Sequence, residues 1–177
     1  PPLAKMIGEI FDIIGVYGRI EVRTSRTGGL ERGYIEGMYW KGGVLSRAMY
    51  TDPTDLRAEL EDAAILVTDL VIDNPRDLIK PMTIVAQAKI KALLIVAKEV
   101  SQPCLGMLTR PEIAEKVKIV AVKAPGILMR AQGEALQDLA VLTNARPILG
   151  AAGDTLQSIK PSDLGRARMV WADKFYF

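Results

Sequence analysis

Several stretches of this chain carry residue types that could do chemistry. Leu149-Gly150-Ala151-Ala152-Gly153-Asp154 invites a phosphate-loop reading, in which backbone N–H groups cradle an anion. Its glycines stand closer together than a P-loop requires, no Gly-Lys-Ser/Thr follows, and no long helix opens behind it. It reads as a surface turn. Gly28-Gly29 lacks the dinucleotide fingerprint and reads as loop punctuation. Asp52, Asp55, Glu59, Glu61, Asp62, Asp69 and Asp73 crowd one region, but a calcium or magnesium site needs oxygens converging at fixed spacing, and no EF-hand pattern is present. These acids read as solvated faces. Lys123, at a strand end, has no partner residue to make it a nucleophile. Cys104 begins a short helix, where a thiolate is favoured, but it reads as a small semi-buried residue.

Composition narrows the choice further. The chain has no histidine, which removes the commonest general base near neutral pH and the commonest zinc ligand. One cysteine cannot close an internal disulfide, so a reducing, cytoplasmic setting is expected. Lys and Arg number 23 against 21 Asp and Glu, a balance without the basic stripe of a nucleic-acid binder. No apolar run reaches the roughly 18 residues of a membrane helix. With 177 residues, 49% of them hydrophobic, the chain can bury a real core. It starts at Pro1-Pro2 and stops at Phe175-Tyr176-Phe177, and reads as a piece of a longer protein. The residues point to a binding or assembly domain rather than an enzyme, with no cofactor or metal of its own.

The elements follow from periodicity. Leu3, Met6, Ile7, Ile10, Phe11 and Ile14 recur at helical spacing, and Gly15 and Gly18 end that helix. Arg19 to Thr24 alternates as a strand with one wet face. Tyr34 to Trp40 is strand-like, interrupted at Gly37, and Val44 to Tyr50 is a short apolar segment. Ala63 to Asp69, Leu93 to Ala97 and Lys116 to Lys123 read as strands covered on both faces. In the last of these, Ile119 and Ala121 fall on one side, Val120 and Val122 on the other. Asn74-Pro75 starts a helix with Leu78, Ile79, Met82, Val85 and Ala86 inward; Pro81 must kink it or sit in its first turn. Gln102-Pro103 opens a shorter helix that Pro111 limits. A longer one runs from Glu134 to Asn144. Pro147-Ile148-Leu149 and Arg168 to Ala172 complete the strands, with a tight turn at Lys160 to Gly165. Strands and helices intermix without strict alternation, which predicts a compact α/β domain with mixed sheets flanked by helices.

Three of these stretches, taken in order, resemble the apical domain of group I chaperonins, the GroEL family. They are Leu93-Leu94-Ile95-Val96-Ala97, Val120-Ala121-Val122-Lys123-Ala124-Pro125-Gly126, and Leu136-Gln137-Asp138-Leu139-Ala140-Val141-Leu142-Thr143. Glu36-Gly37-Met38 with Leu45-Ser46, and Ser162-Asp163-Leu164-Gly165-Arg166-Ala167, resemble the family's entry to and exit from that domain. The similarity runs almost end to end, with a length change near Leu128 to Gly133. It implies a GroEL apical-domain-like fold, with 1–35 an intermediate-domain fragment of helix plus strand and 36–177 the apical polypeptide-binding domain.

The resemblance further implies a ring chaperonin that encapsulates non-native polypeptides, with a co-chaperonin and other ring subunits as partners. ATP and magnesium belong to an equatorial domain whose Gly-Asp-Gly-Thr-Thr motif is not in this sequence. The family's client-binding side chains, usually aromatic or aliphatic, correspond here to Val44, Ala48, Met49, Lys80, Thr83, Leu105, Thr109 and Arg110. Lys80, Thr83, Thr109 and Arg110 depart from that pattern. The alternative is therefore a divergent paralogue with a structural or narrow-client role and weakened generic binding.

Overall fold

The computed structural model of the chain describes residues 2–15, 20, 22, 28–30, 32, 37–126 and 129–177. These fall into two units, Pro1–Met38 and Tyr39–Phe177.

In the first unit, α1 spans Pro2–Ile14. Gly15, at φ +66°, ends it and donates its N–H to the Phe11 carbonyl at 3.0 Å. That is the left-handed cap only glycine adopts cheaply. Leu3 and Phe11, on the helix's apolar stripe, stay about half exposed. The strand expected from Arg19 to Thr24, the part of the Tyr34 to Trp40 strand before Gly37, and Gly18 lie largely outside the described residues.

The second unit is built around β3, Ala92–Ala97, buried at every position. Only a strand covered on both faces reads that way. Its neighbours are β1, Ala58–Val67, and β5, Lys118–Lys123, both parallel to it. Register is set across the three, with Ile65 beside Leu94 and Leu94 beside Val120. The sheet's far edge is β6, Gly165–Ala172, antiparallel to β1, so the order is β5-β3-β1-β6 and the sheet is mixed. A second, two-stranded sheet pairs β2, Val71–Ile72, with β4, Glu99–Val100, in parallel.

Strand alternation divides the core into two layers. Leu66, Leu93, Ile95, Ile119 and Ala121 face a layer completed by α2, Ile79–Gln87, and α3, Gln102–Leu108. Ile65, Leu94, Val96, Val120 and Val122 face the opposite layer, where Leu136 and Leu139 of α5, Met129–Thr143, pack. A short α4, Pro111–Ala114, precedes β5. The expected parity of the β5 side chains is the one found.

Both ends of this unit are tied together. The Trp40 N–H donates to the Phe177 carbonyl at 2.8 Å, and Phe177 donates back at 3.1 Å. Gly42 and Val44 donate to Phe175 and Asp173. The Trp40 and Phe177 rings stack, centroids 5.8 Å apart. A Cβ at Gly42 would overlap the Lys123 carbonyl oxygen, and one at Gly43 the Lys174 carbonyl oxygen. The Gly42-Gly43 pair is thus a place where three backbone segments meet too closely for any side chain.

Several boundaries differ from expectation. β1 starts five residues before Ala63, because Glu59 and Glu61 put their side chains on a wet face while Ala58 and Leu60 stay buried. α5 starts at Met129 rather than Glu134. Pro147 to Leu149 forms no strand: Ile148 makes a single parallel bridge to Thr68. Cys104 is fully buried, not semi-buried.

Candidate functional site

Two helices leave the same small sheet. β2 and β4 run parallel and adjacent, so their continuations emerge side by side. The Ser101 hydroxyl donates to the Asp73 carbonyl at 2.9 Å, and the Ser101 N–H to Ile72 at 2.9 Å, pinning the two exits together. After β2, Asn74 accepts the Arg76 N–H on its side chain and opens a 3-10 turn, Pro75–Leu78, that runs into α2. After β4, Ser101 precedes α3, whose second residue is Pro103. Both proline positions suit a first turn, where the missing N–H costs no helical bond. Pro81 is the third residue of α2, again within the first turn. The 3-10 turn packs against α3.

Leu78, Pro81, Ile84 and Val85 form the buried stripe of this segment. Ile79 therefore points outward, 59% exposed, and Ala86 is exposed too. The expectation of an inward Ile79 and Ala86 is corrected by this geometry. Leu78, the last residue of the 3-10 turn, is buried, and the stripe from it through Pro81 to Ile84 and Val85 leaves Ile79 on the outer side. The signal that would have placed them was Pro81, which serves as a core residue and completes the stripe.

The eight residues aligned with a client-binding face divide into three groups. Met49 and Leu105 are 4% and 3% exposed and belong to the core. Val44 is half-buried: it bridges Val122, flanked by Leu45 donating to the Ala121 carbonyl and Lys123 donating to Gly43. This segment thus lines the outer edge of β5. Ala48, within the turn Arg47–Met49, is exposed, as are Lys80, Thr83 and Arg110, while Thr109 is half-buried. Arg110 stands at the corner between α3 and α4, in extended backbone at φ −60° and ψ 140°.

The two threonines are less polar than their type suggests. Thr83 Oγ1 donates to the Ile79 carbonyl at 2.7 Å, and Thr109 Oγ1 to the Leu105 carbonyl at 2.9 Å. Each hydroxyl is turned back onto its own helix, and its hydrogen-bonding demand is met there. Ile79 and Thr83 lie one turn apart on the outer side of α2. That side thus carries an exposed aliphatic residue, a threonine with its hydroxyl satisfied, and Lys80 beside them.

The other candidate chemistry does not assemble. The Gly150 N–H donates to Asp69 Oδ1 at 2.8 Å, and Gly153 turns the chain at φ +75°. Asp52 Oδ1 accepts the N–H groups of Thr54 and Asp55. Among the described residues no three metal-capable side chains cluster. No helix among them is long and apolar enough to cross a membrane.

No family model matches the chain. Among solved structures it is similar to the chaperonin gp146 from bacteriophage EL 2 (Pseudomonas aeruginosa), crystallised in the presence of ATP-BeFx. The two agree at a TM-score of 0.64 with 14% sequence identity, over 99% of this chain and 34% of that one. The fold is therefore that of a chaperonin domain, with a mixed sheet flanked by helices. The chain spans about a third of the length of that chaperonin.

Proposed function

We propose that this chain is the polypeptide-binding part of a chaperonin, and that the outer sides of α2 and α3 hold non-native chains. The observation that carries the reading is the helix pair itself. Two adjacent helices leave parallel strands and present Ile79, Thr83 and their neighbours to solvent, in a fold that matches about a third of a chaperonin chain. An unfolded chain offers apolar side chains, and burying them yields about 25 cal/mol per Å². On this reading residues 1–35 belong to a connecting domain and 36–177 to the binding domain. A co-chaperonin and other subunits of a ring are partners of the whole protein in the cytoplasm. ATP and magnesium act in a part of that protein outside this sequence, and the present chain is not itself an enzyme.

A second reading has its own support. Met49 and Leu105, two of the apolar positions, are buried, and Lys80 and Arg110 bring charge to the exposed face. This favours a divergent paralogue with a narrower client set or a structural role. A titration against a reduced, permanently unfolded protein separates the readings. Saturable binding, absent with the same protein in its native form, supports capture. No binding refutes capture and leaves the structural role.

A further inference from the structure

The stretches of chain that hold α2 and α3 carry an excess of positive charge. From Asn74 to Lys91 the chain carries Arg76, Lys80, Lys89 and Lys91 against Asp77 alone; from Gln102 to Glu112 it carries Arg110 against Glu112. All five cations are exposed, and among the described residues none makes an ion pair. Thr51 to Asp62 has the opposite balance, with Asp52, Asp55, Glu59, Glu61 and Asp62 against Arg57. A chain that is nearly neutral overall thus carries an excess of unpaired positive charge over these two stretches, with Lys80 next to the exposed Ile79.

The exposed side of α3 also carries Gly106. It lies in the middle of α3 on the exposed side, one turn before Arg110. A Cβ built there meets nothing within 4 Å, and its φ is not positive. Neither packing nor backbone conformation within the chain requires glycine, and glycine weakens a helix interior relative to alanine. What a missing side chain permits is the close approach of another backbone.

We propose that this face takes extended polypeptide segments in which acidic residues flank apolar ones, with the bound backbone lying over Gly106. Their carboxylates meet Lys80 and Arg110, and their apolar side chains cover Ile79 and the stems of the two cations. Long basic side chains can do both, since their methylenes pack while the charge stays wet. Pairs this exposed are individually weak and screened by salt, so they select among clients more than they hold them. The inference rests on the capture reading above and narrows it to a class of client.

The test uses the full chain and fluorescent peptides of equal leucine content, with serine, glutamate or lysine between the leucines, and a polyglutamate without leucine. At low salt the Leu/Glu peptide should bind roughly three- to tenfold more tightly than Leu/Ser, and Leu/Lys more weakly. The advantage should shrink well above about 0.15 M salt. Lys80→Gln with Arg110→Gln should make Leu/Glu and Leu/Ser equal. Gly106→Leu should weaken every leucine-bearing peptide while the melting temperature holds or rises. Equal binding of Leu/Ser and Leu/Glu would overturn the acidic preference and leave capture standing. Polyglutamate binding as tightly as Leu/Glu would make the face a polyanion site and overturn the proposal. Binding of none of the peptides would overturn both the preference and the capture reading beneath it.

Discussion

Met49 reaches beneath the edge of β5, where its Sδ accepts the backbone N–H of Ala121 at 3.2 Å. A thioether is a weak acceptor, but here it meets an edge-strand donor that would otherwise be buried without a partner. Met49 therefore acts on stability. Met49→Ala should cost about 2–5 kcal/mol in denaturant unfolding, and Leu105→Ala a similar amount. Below the unfolding transition both variants should keep the client affinity of the parent chain. An affinity loss without a stability loss would put these side chains on the binding surface instead.

Replacing the polar members of the exposed face should act in the opposite way. The variant Lys80→Leu, Thr83→Leu, Thr109→Val, Arg110→Val should bind an unfolded protein more tightly than the parent. Each new aliphatic group contributes on the order of 1 kcal/mol. Its affinity should also depend less on salt, since two charges are gone. The gain is smallest at Thr109, which is already half-buried with its hydroxyl bonded to Leu105. Calorimetric titration at two ionic strengths measures both effects.

The sheet was legible because a fully covered strand leaves an unbroken apolar run, as in Leu93 to Ala97, and alternation alone assigned Ile119 and Val120 to opposite layers. The outer surface of α2 was not. Its phase is set by a 3-10 turn over Pro75–Leu78 and by a proline used as core, neither of which a helical period reveals. The strand expected at Pro147 to Leu149 is absent: Ile148 is wholly buried there but makes only one bridge. The Asp163-Leu164-Gly165 stretch has a local cause. Asp163 accepts the Lys160 N–H at 2.8 Å, and a Cβ on Gly165 would press on Thr143 and Ala145. Of the candidate face, residue types were readable but depth was not, so Met49 and Leu105 stood alongside Lys80 until packing separated them.

The pH response should include a contribution from Asp154. Its carboxylate accepts from the Arg146 guanidinium at 2.7 Å and from the Leu149 N–H at 3.2 Å, and both hold it below the usual carboxylate range, the arginine bond most. The same bond holds Arg146 above its ordinary value. A depressed folded pKa gives stability that is complete above the unfolded value, about 3.9, and lost as pH falls through the folded one. The stability gap between the parent chain and Asp154→Asn should be constant from neutral pH to about pH 5 and close in more acid solution. In Arg146→Met, the Asp154 carboxyl carbon should titrate at higher pH by NMR. An unchanged titration would mean that the ion pair does not form in solution.

Hydrogen exchange of the chain, alone and saturated with a reduced, permanently unfolded protein, tests the central claim most directly. The account predicts slowed exchange in Ile79–Gln87 and from Gln102 to Arg110, with the ribbon of β1 and β6 around Glu59 and Trp171 unchanged. Protection confined to that ribbon, or no protection at saturation, would contradict it.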